Sequence, residues 1–168
     1  MNLRVGFVGL SHLGLNYLAA AAEKNFSTIG FDINSELISK LNKFDVPLSE
    51  PYLEKNLRKN KNLISFSDDF SLIKKCDIVF ISQDVKTNKN GTGKLEDIKS
   101  LINRTKKFIK KDTILVILSQ IQPKFMNNIK FDKTRLFYQV ETLVFGRAVE
   151  RALYPERIII GCYNKNIP

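Results

Sequence analysis

The chain has 168 residues, of which 43% are hydrophobic and 26% are charged, and these values exclude a wholly disordered chain and a fibrous repeat. No stretch approaches the ~20 uncharged apolar residues that a membrane span needs, so no membrane partner is expected. The formal net charge is +10, but the lysines are scattered and no block holds five like charges, so the pattern does not favour nucleic acid as a partner.

Short apolar runs alternate with longer amphipathic segments along the chain. The first ten residues hold no long apolar region and no cleavage site, so we interpret them as a first strand and not as a signal peptide. Asn34 or Ser35 can cap a helix that carries Leu37, Ile38 and Leu41. The predicted strands are 3–8, 28–31, 63–66, 77–82, 113–118, 136–140 and 157–160. The other predicted helices are 13–24, 52–60 and 95–109, and residues 87–94 form a long predicted loop.

Strand–helix alternation at this spacing predicts βαβ crossovers. Such crossovers give a doubly wound, mainly parallel sheet with helices on both faces, so the predicted fold class is α/β. No internal repeat and no low-complexity linker divides the sequence, so residues 1–168 are predicted to form a single domain. Two cysteines are too few for a disulfide framework, and without an export signal they indicate reduced thiols in a cytoplasmic protein.

A glycine-bearing turn follows the first predicted strand and opens the first predicted helix. Gly9 would form the tight turn, and Gly14 would allow the helix to pack closely on the strand. The N-terminus of such a helix binds the pyrophosphate of a dinucleotide. The middle glycine of the usual triad is replaced by Ser11, which adds bulk there, although its hydroxyl could donate to a phosphate. The turn predicts a Rossmann-like dinucleotide-binding domain, and the alternative is an ordinary strand–helix turn with no ligand.

An acidic residue ends the second predicted strand, 18 residues beyond Gly14. This residue, Asp32, would accept hydrogen bonds from a ribose diol and would repel a 2′-phosphate, so NAD is favoured over NADP. His12, the only histidine, lies within the turn, where a solvent-facing position is favoured over a ligand contact. The predicted cofactor-binding residues are Gly9, Leu10, Ser11, His12, Leu13, Gly14, Asp32 and Asn34.

Seven segments in chain order carry a family resemblance: Gly9–Gly14, Asp32–Asn34, Glu50–Leu53, Asp77–Ser82, Asn88–Leu95, Gln139–Glu141 and Ala148–Gly161. They resemble, in turn, a GLGYVG-like turn, a D-x-N, an EPGL-like segment, a DVVFIAVPTP-like strand, a DEDGSADL-like loop, an NPE and an AIEDFLNPDRIVIG-like segment. These segments are typical of the N-terminal domain of the UDP-glucose/GDP-mannose dehydrogenase family, the nucleotide-sugar 6-dehydrogenases. The resemblance covers nearly the whole chain.

The resemblance implies an NAD-binding domain of an oxidoreductase that oxidises a nucleotide sugar at its C6 CH–OH group, in two hydride transfers to NAD. In the family a cysteine of a later domain holds the intermediate as a thiohemiacetal and then a thioester, and neither Cys76 nor Cys162 matches it. The chain alone is therefore expected to be inactive, and a nucleotide sugar would be its substrate only if a second domain were supplied. The resemblance also implies Glu141 as a catalytic residue, a role in polysaccharide biosynthesis and the capacity to form homo-oligomers.

The departures from the family pattern fall on residues that would handle charge and protons. Gln120 and Val85 stand at positions of threonines, and Phe145 stands at that of a second glutamate. Phenylalanine cannot act as a general base, and valine donates no hydrogen bond. These changes favour an alternative, a non-catalytic Rossmann-fold binding or scaffold module with a degenerate NAD site. A nucleic-acid-binding module is a third hypothesis, which only the charge favours. No residues have metal-ligand spacing, so no metal is predicted.

Overall fold

One mainly parallel sheet forms the centre of the fold in the computed structural model, which describes residues 3–85, 93 and 95–163. Its strands are β1 (Arg4–Val8), β2 (Ser27–Phe31), β3 (Ile64–Ser67), β4 (Ile78–Ile81), β5 (Ile114–Ile117), β6 (Leu136–Gln139) and β7 (Ile160–Gly161). They lie in the order β3-β2-β1-β4-β5-β6-β7, and only the β6–β7 pair is antiparallel. The strand order reverses at β1, which has β2 on one side and β4 on the other.

Helices cover both faces of this sheet. They are α1 (His12–Glu23), α2 (Ser35–Asn42), α3 (Leu53–Lys59), α4 (Glu96–Lys106) and α5 (Ala148–Leu153), with 3₁₀ turns at Lys61–Leu63, Phe70–Lys75 and Phe125–Asn128. The first three helices and α5 bury Leu15, Ile38, Leu57 and Val149 in one core layer. The layer on the other face contains Ile98 of α4. Strand residues alternate between the two layers because successive side chains of a strand point in opposite directions.

The α/β class and the Rossmann-like doubly wound sheet agree with the sequence prediction, but the last strand does not. Residues 157–160 were expected to form it, whereas β7 begins at Ile160 and pairs through only two residues at the sheet edge. Ile158 and Ile159 are exposed, so the apolar run does not mark a buried strand here. The prediction also omitted α5, because its six residues are too few to show a helical period. The predicted loop 87–94 lies outside the described residues except for Gly93.

The turn between β1 and α1 depends on two glycines. Gly9 has a φ of +93°, and a Cβ at this position would lie 2.6 Å from the Cβ of Gln83. A Cβ at Gly14 would lie 2.0 Å from the carbonyl oxygen of Gly9, so the first turn of α1 lies directly against the end of β1. The Gly9 N–H donates to the carbonyl of Phe31, and the Ser82 hydroxyl donates to the carbonyl of Gly9. These contacts hold the N-terminus of α1 over the point where the strand order reverses, which is where α/β sheets bind ligands.

Replacing Gly14 by alanine should destabilise the fold, because the new methyl group meets backbone that cannot rotate away. We expect Gly14→Ala to lower the free energy of unfolding by about 3 kcal/mol, the upper end of the usual cost of overpacking. The matched control is Gly161→Ala, since a Cβ there would lie 3.8 Å from its nearest neighbours. Urea unfolding followed by circular dichroism measures both variants, and equal stabilities would contradict the close packing of α1 on β1.

Candidate functional site

An open cleft of about 420 Å³ lies beside the β1–α1 turn, between the ends of β1 and β2 and the start of α4. Its volume is in the range of small-molecule sites, about 300–1,000 Å³. The residues that line it are Leu10, Ser11, Asp32, Ile33, Asn34, Leu37, Gln83, Asp97, Ser100, Leu101 and Arg104. The residue predicted to hold a ribose and the residue that opens α1 therefore face one common space.

Asp32 connects the end of β2 to the turn. Its carboxylate accepts a hydrogen bond from the Leu10 N–H at 2.9 Å through one oxygen and from the Asn34 N–H at 2.9 Å through the other. The residue is only 8% exposed, so these two bonds fix the carboxylate at the wall of the cleft. A carboxylate has about four acceptor positions, and two of them remain for the hydroxyl groups of a bound ribose.

Asn34, which the sequence also predicts to be a cofactor-binding residue, caps a helix in the structure. Its side-chain oxygen accepts hydrogen bonds from the N–H groups of Glu36 and Leu37 at 3.1 Å and so caps α2. The capping interaction was predicted from the sequence and is present. The residue borders the cleft with its oxygen already engaged.

The N-terminus of α1 carries a carboxylate that the sequence analysis missed. Asp84, three residues after β4, accepts a hydrogen bond from the Leu13 N–H at 3.2 Å. Its own N–H donates to the Ser11 hydroxyl at 2.8 Å, and that hydroxyl donates to the carbonyl of Ser82 at 3.3 Å. The Ser11 side chain thus bonds to the loop after β4, instead of capping its own helix. The only signal available in the sequence was an acidic residue just after the strand that pairs with β1.

A second, smaller hollow of about 100 Å³ lies on the other side of the turn. Its lining is His12, Leu13, Asp84, Gln120, Glu141, Leu143 and Phe145. The predicted catalytic residue, Glu141, accepts a hydrogen bond from the Gln120 side-chain amide at 2.8 Å and another from the Leu143 N–H. The fold therefore brings together five of the residues that the sequence singled out, whereas Val85 packs against the core layer that contains α4.

His12 is not solvent-facing, contrary to the expectation from the sequence. Its side chain is 14% exposed, its Nε2 lies 2.9 Å from Oε2 of Glu50, and its ring centroid lies 4.4 Å from that of Phe145. His12 lines the second hollow and not the cleft that contains Asp32. The expectation was wrong because the carboxylate that holds the imidazole comes from a distant loop.

Glu50 joins three segments of the chain at this point. Besides His12, its carboxylate accepts hydrogen bonds from the Gly146 N–H at 3.2 Å and from the Ala148 N–H, at the start of α5, at 2.9 Å. Burial by itself would raise the pKa of Glu50, but the hydrogen bonds from His12 and the two N–H groups outweigh it and leave the pKa lowered. Sequence reasoning had placed Glu50 only in a family segment, without a role.

The two thiols lie outside both hollows. Cys76 is fully buried, and its burial raises the pKa of the thiol to about 12, whereas Cys162 is exposed. Among residues 3–85, 93 and 95–163, no three His, Cys, Asp or Glu side chains are grouped as a metal site would require. None of the helices in this part of the chain has the length and apolar character needed to cross a membrane.

Comparisons with known proteins find similar sequences and a similar fold. A sequence profile for the UDP-glucose/GDP-mannose dehydrogenase family, NAD binding domain, matches residues 3–167. The UDP-glucose 6-dehydrogenase of Rickettsia typhi is 30% identical over 97% of this chain, and an uncharacterized protein of Methanocaldococcus jannaschii is 30% identical over 98% of it. The chain spans only 40% of the first relative and 19% of the second.

A solved structure has the same fold. The GDP-mannose dehydrogenase of Pseudomonas aeruginosa, crystallised as a ternary complex, superposes with a TM-score of 0.88 at 23% identity. The match covers 97% of this chain and 42% of that enzyme. A UDP-glucose dehydrogenase from Pyrobaculum islandicum gives a TM-score of 0.87 at 20% identity. At identities of 23% and 20%, the similarity to these two structures shows the fold alone.

Removing the charge of Glu50 should destabilise the fold, because three donors point at this buried carboxylate. We expect Glu50→Gln to lower the free energy of unfolding by about 2 kcal/mol, as is usual for hydrogen bonds to a charged group. The matched control is Glu54→Gln, since Glu54 forms an exposed ion pair with Arg58 that contributes about 0.5 kcal/mol or less.

The effect of Glu50→Gln should also depend on pH. Because folding lowers the pKa of Glu50, its charge stabilises the fold fully above the ordinary glutamate value of ~4.3, and this contribution is lost as the pH falls through the lower folded value. The difference in unfolding free energy between wild type and variant should therefore shrink below about pH 4. A difference that stays constant down to about pH 3 would contradict a role for the charge.

The two thiols should differ in reactivity. In the folded protein at pH 8, an aromatic disulfide reagent should modify Cys162 quickly and leave Cys76 intact, because the thiolate is the reactive form and the Cys76 thiol stays protonated. Absorbance of the released thiolate should report one equivalent before unfolding and two after it. Fast modification of Cys162→Ser in the folded state would show that Cys76 is accessible after all.

Proposed function

Since this chain belongs to the UDP-glucose/GDP-mannose dehydrogenase family, whose NAD-binding domain it forms, we propose that it holds NAD in the cleft between Asp32 and the start of α1. In this proposal the chain is the cofactor-binding part of an oxidoreductase that acts on a nucleotide sugar. The observation that carries it is the common cleft of about 420 Å³, which is lined by residues at the ends of β1 and β2, by the N-cap residue of α1, Ser11, and by the start of α4.

Each part of the cofactor has a matching part of the site. The adenosine ribose would bind at Asp32, whose carboxylate has acceptor positions left for its hydroxyls. The diphosphate would lie against the N-terminus of α1, where backbone N–H groups and the helix dipole favour negative charge. The reacting end would extend past the turn towards Glu141 and Gln120, which line the second hollow. When bound, NAD supplies the hydride acceptor.

The same geometry favours NAD over NADP. The Asp32 carboxylate is held rigidly by two backbone N–H groups, so it cannot turn away from a 2′-phosphate. Arg104 also lines the cleft, and its guanidinium carbon lies 4.5 Å from the ring centroid of Phe70. That stacking gives the one arginine of the cleft a partner outside it, and supports the preference for an unphosphorylated ribose.

The complete oxidation of a nucleotide sugar would require a thiol and a sugar-binding surface that the described residues of this chain do not provide. Cys76 is buried and Cys162 lies away from both hollows, so neither thiol can hold a sugar intermediate at Glu141. The thiol and the sugar-binding surface would come from a further domain, and the nucleotide sugar would bind only with that domain in place. Two unpaired cysteines are in keeping with a reducing compartment, and we propose that the protein works in the cytoplasm.

A second candidate is a non-catalytic module that keeps the fold with an altered reaction site. The hydrogen bond from Gln120 to Glu141 favours it, because the amide occupies one oxygen of the glutamate and has no proton that it can transfer. Phe145, which is 82% exposed, stands beside this pair and cannot handle protons. Binding of NAD distinguishes a working cofactor site from a fully degenerate one.

NAD should raise the thermal stability of the purified chain, because it binds the folded state only. At a concentration of 100 times Kd the gain is about 2.7 kcal/mol, and NADP should give a smaller shift at the same concentration. Asp32→Asn should remove most of the NAD shift and the preference for NAD. The control Asp112→Asn removes an exposed carboxylate outside the cleft and should leave both unchanged. Absence of any shift at millimolar NAD would favour the non-catalytic module.

A further inference from the structure

The N-terminus of α1 is already occupied by an anion from the protein itself. The helix has no acidic residue in its first turn, and the side chain of its N-cap residue, Ser11, makes no capping bond. Instead, the Leu13 N–H donates to the Asp84 carboxylate at 3.2 Å. This N–H is one of the few helix-end donors that a bound diphosphate would need.

Asp84 is held at this place by its backbone. Its N–H donates to the Ser11 hydroxyl at 2.8 Å, and the preceding loop is attached to the turn by the Ser82 hydroxyl, which donates to the carbonyl of Gly9 at 3.0 Å. The side chain itself is exposed, so rotation about its side-chain torsions can remove the carboxylate from Leu13 without moving the main chain. The carboxylate therefore occupies the helix end reversibly.

We infer that Asp84 is an affinity-determining residue of the dinucleotide site, an internal carboxylate that a diphosphate must displace from the N-terminus of α1. This inference rests on the proposed binding of NAD in the adjoining cleft. A diphosphate and the carboxylate compete for the same N–H, and their like charges repel each other across the short distance that remains after displacement. Asp84 thus weakens the binding of ligands that carry a diphosphate. It leaves the binding of an uncharged nucleoside at Asp32 unaffected.

The size of the effect follows from charges near a helix terminus. One carboxylate at a partly exposed helix end changes the affinity of that end for an anion by about two- to fivefold, and its repulsion of a nearby phosphate in a water-filled cleft has an effect of similar size. Removing Asp84 should therefore strengthen the binding of NAD and of ADP by about four- to twenty-fivefold, because the two effects multiply. Adenosine, which has no phosphate, should bind equally well before and after the change.

Two substitutions of Asp84 separate the effect of its charge from the effect of its hydrogen bond with the Leu13 N–H. Asp84→Asn keeps a side chain that can accept from Leu13 but removes the repulsion, and Asp84→Ala removes both. We expect Asp84→Ala to give the full gain for NAD and ADP, and Asp84→Asn to give part of it. The matched control is Asp112→Asn, because Asp112 is an exposed carboxylate that lines neither of the two hollows. It should change the affinity for NAD by less than about twofold.

The experiment is a titration of each full chain with NAD, ADP and adenosine, followed by amide NMR. The Leu13 amide reports on the helix end, and the Asn34 amide reports on Asp32, so the two halves of the site are observed separately. The inference would be overturned by equal gains for adenosine and NAD, by equal gains in Asp84→Ala and Asp112→Asn, or by an unchanged affinity for NAD in Asp84→Ala.

The outcomes also distinguish this inference from the proposed function. If wild type binds both NAD and adenosine, and Asp84→Ala makes no difference, the inference fails while the proposed function stands. If neither ligand shifts the Asn34 amide in any of the variants at millimolar concentration, the cleft is not a cofactor site, and both fail.

Discussion

The close approach of α1 to the end of β1 is the constraint on which the rest of the structure depends. It requires a residue without a side chain at position 14, where a Cβ would lie 2.0 Å from the Gly9 carbonyl oxygen. Only with this packing does the helix N-terminus stand over the reversal in strand order, at the edge of a cleft. The position of the helix end thus follows from the size of one side chain.

Three carboxylates surround the turn that this packing creates. Asp32 bonds to the Leu10 N–H, Asp84 to the Leu13 N–H, and Glu50 to the side chain of His12. In a chain with a formal net charge of +10, this is a local concentration of negative charge at a turn rich in backbone donors. The Leu10 and Leu13 N–H groups of the turn therefore already have acceptors from the protein, and Asp84 is the one that we propose a diphosphate would displace.

The two halves of the site differ in how they depart from the family pattern. The half that would hold adenosine keeps its acidic residue and an open cleft. The half that would hold the reacting group keeps Glu141, but Gln120 donates to it and the aromatic ring of Phe145 lies beside it. Binding and chemistry can therefore change separately in this fold, because the ends of different strands supply the residues for each.

Much of the fold and the position of the cleft could be predicted from the sequence, because they depend on residues that are close together along the chain. Buried strands appear as apolar runs, helices show their period, and the Gly9 turn with Asp32 at the end of the next strand marks the cleft, since parallel strands end at one edge of a sheet. The contacts of Glu50 with His12 and of Asp84 with Leu13 join residues 38 and 71 positions apart, so no local pattern contains them. The short antiparallel pairing of β7 and the partial burial of His12 likewise depend on which distant segments meet, and that was decided by the packing of helices and loops around the finished sheet.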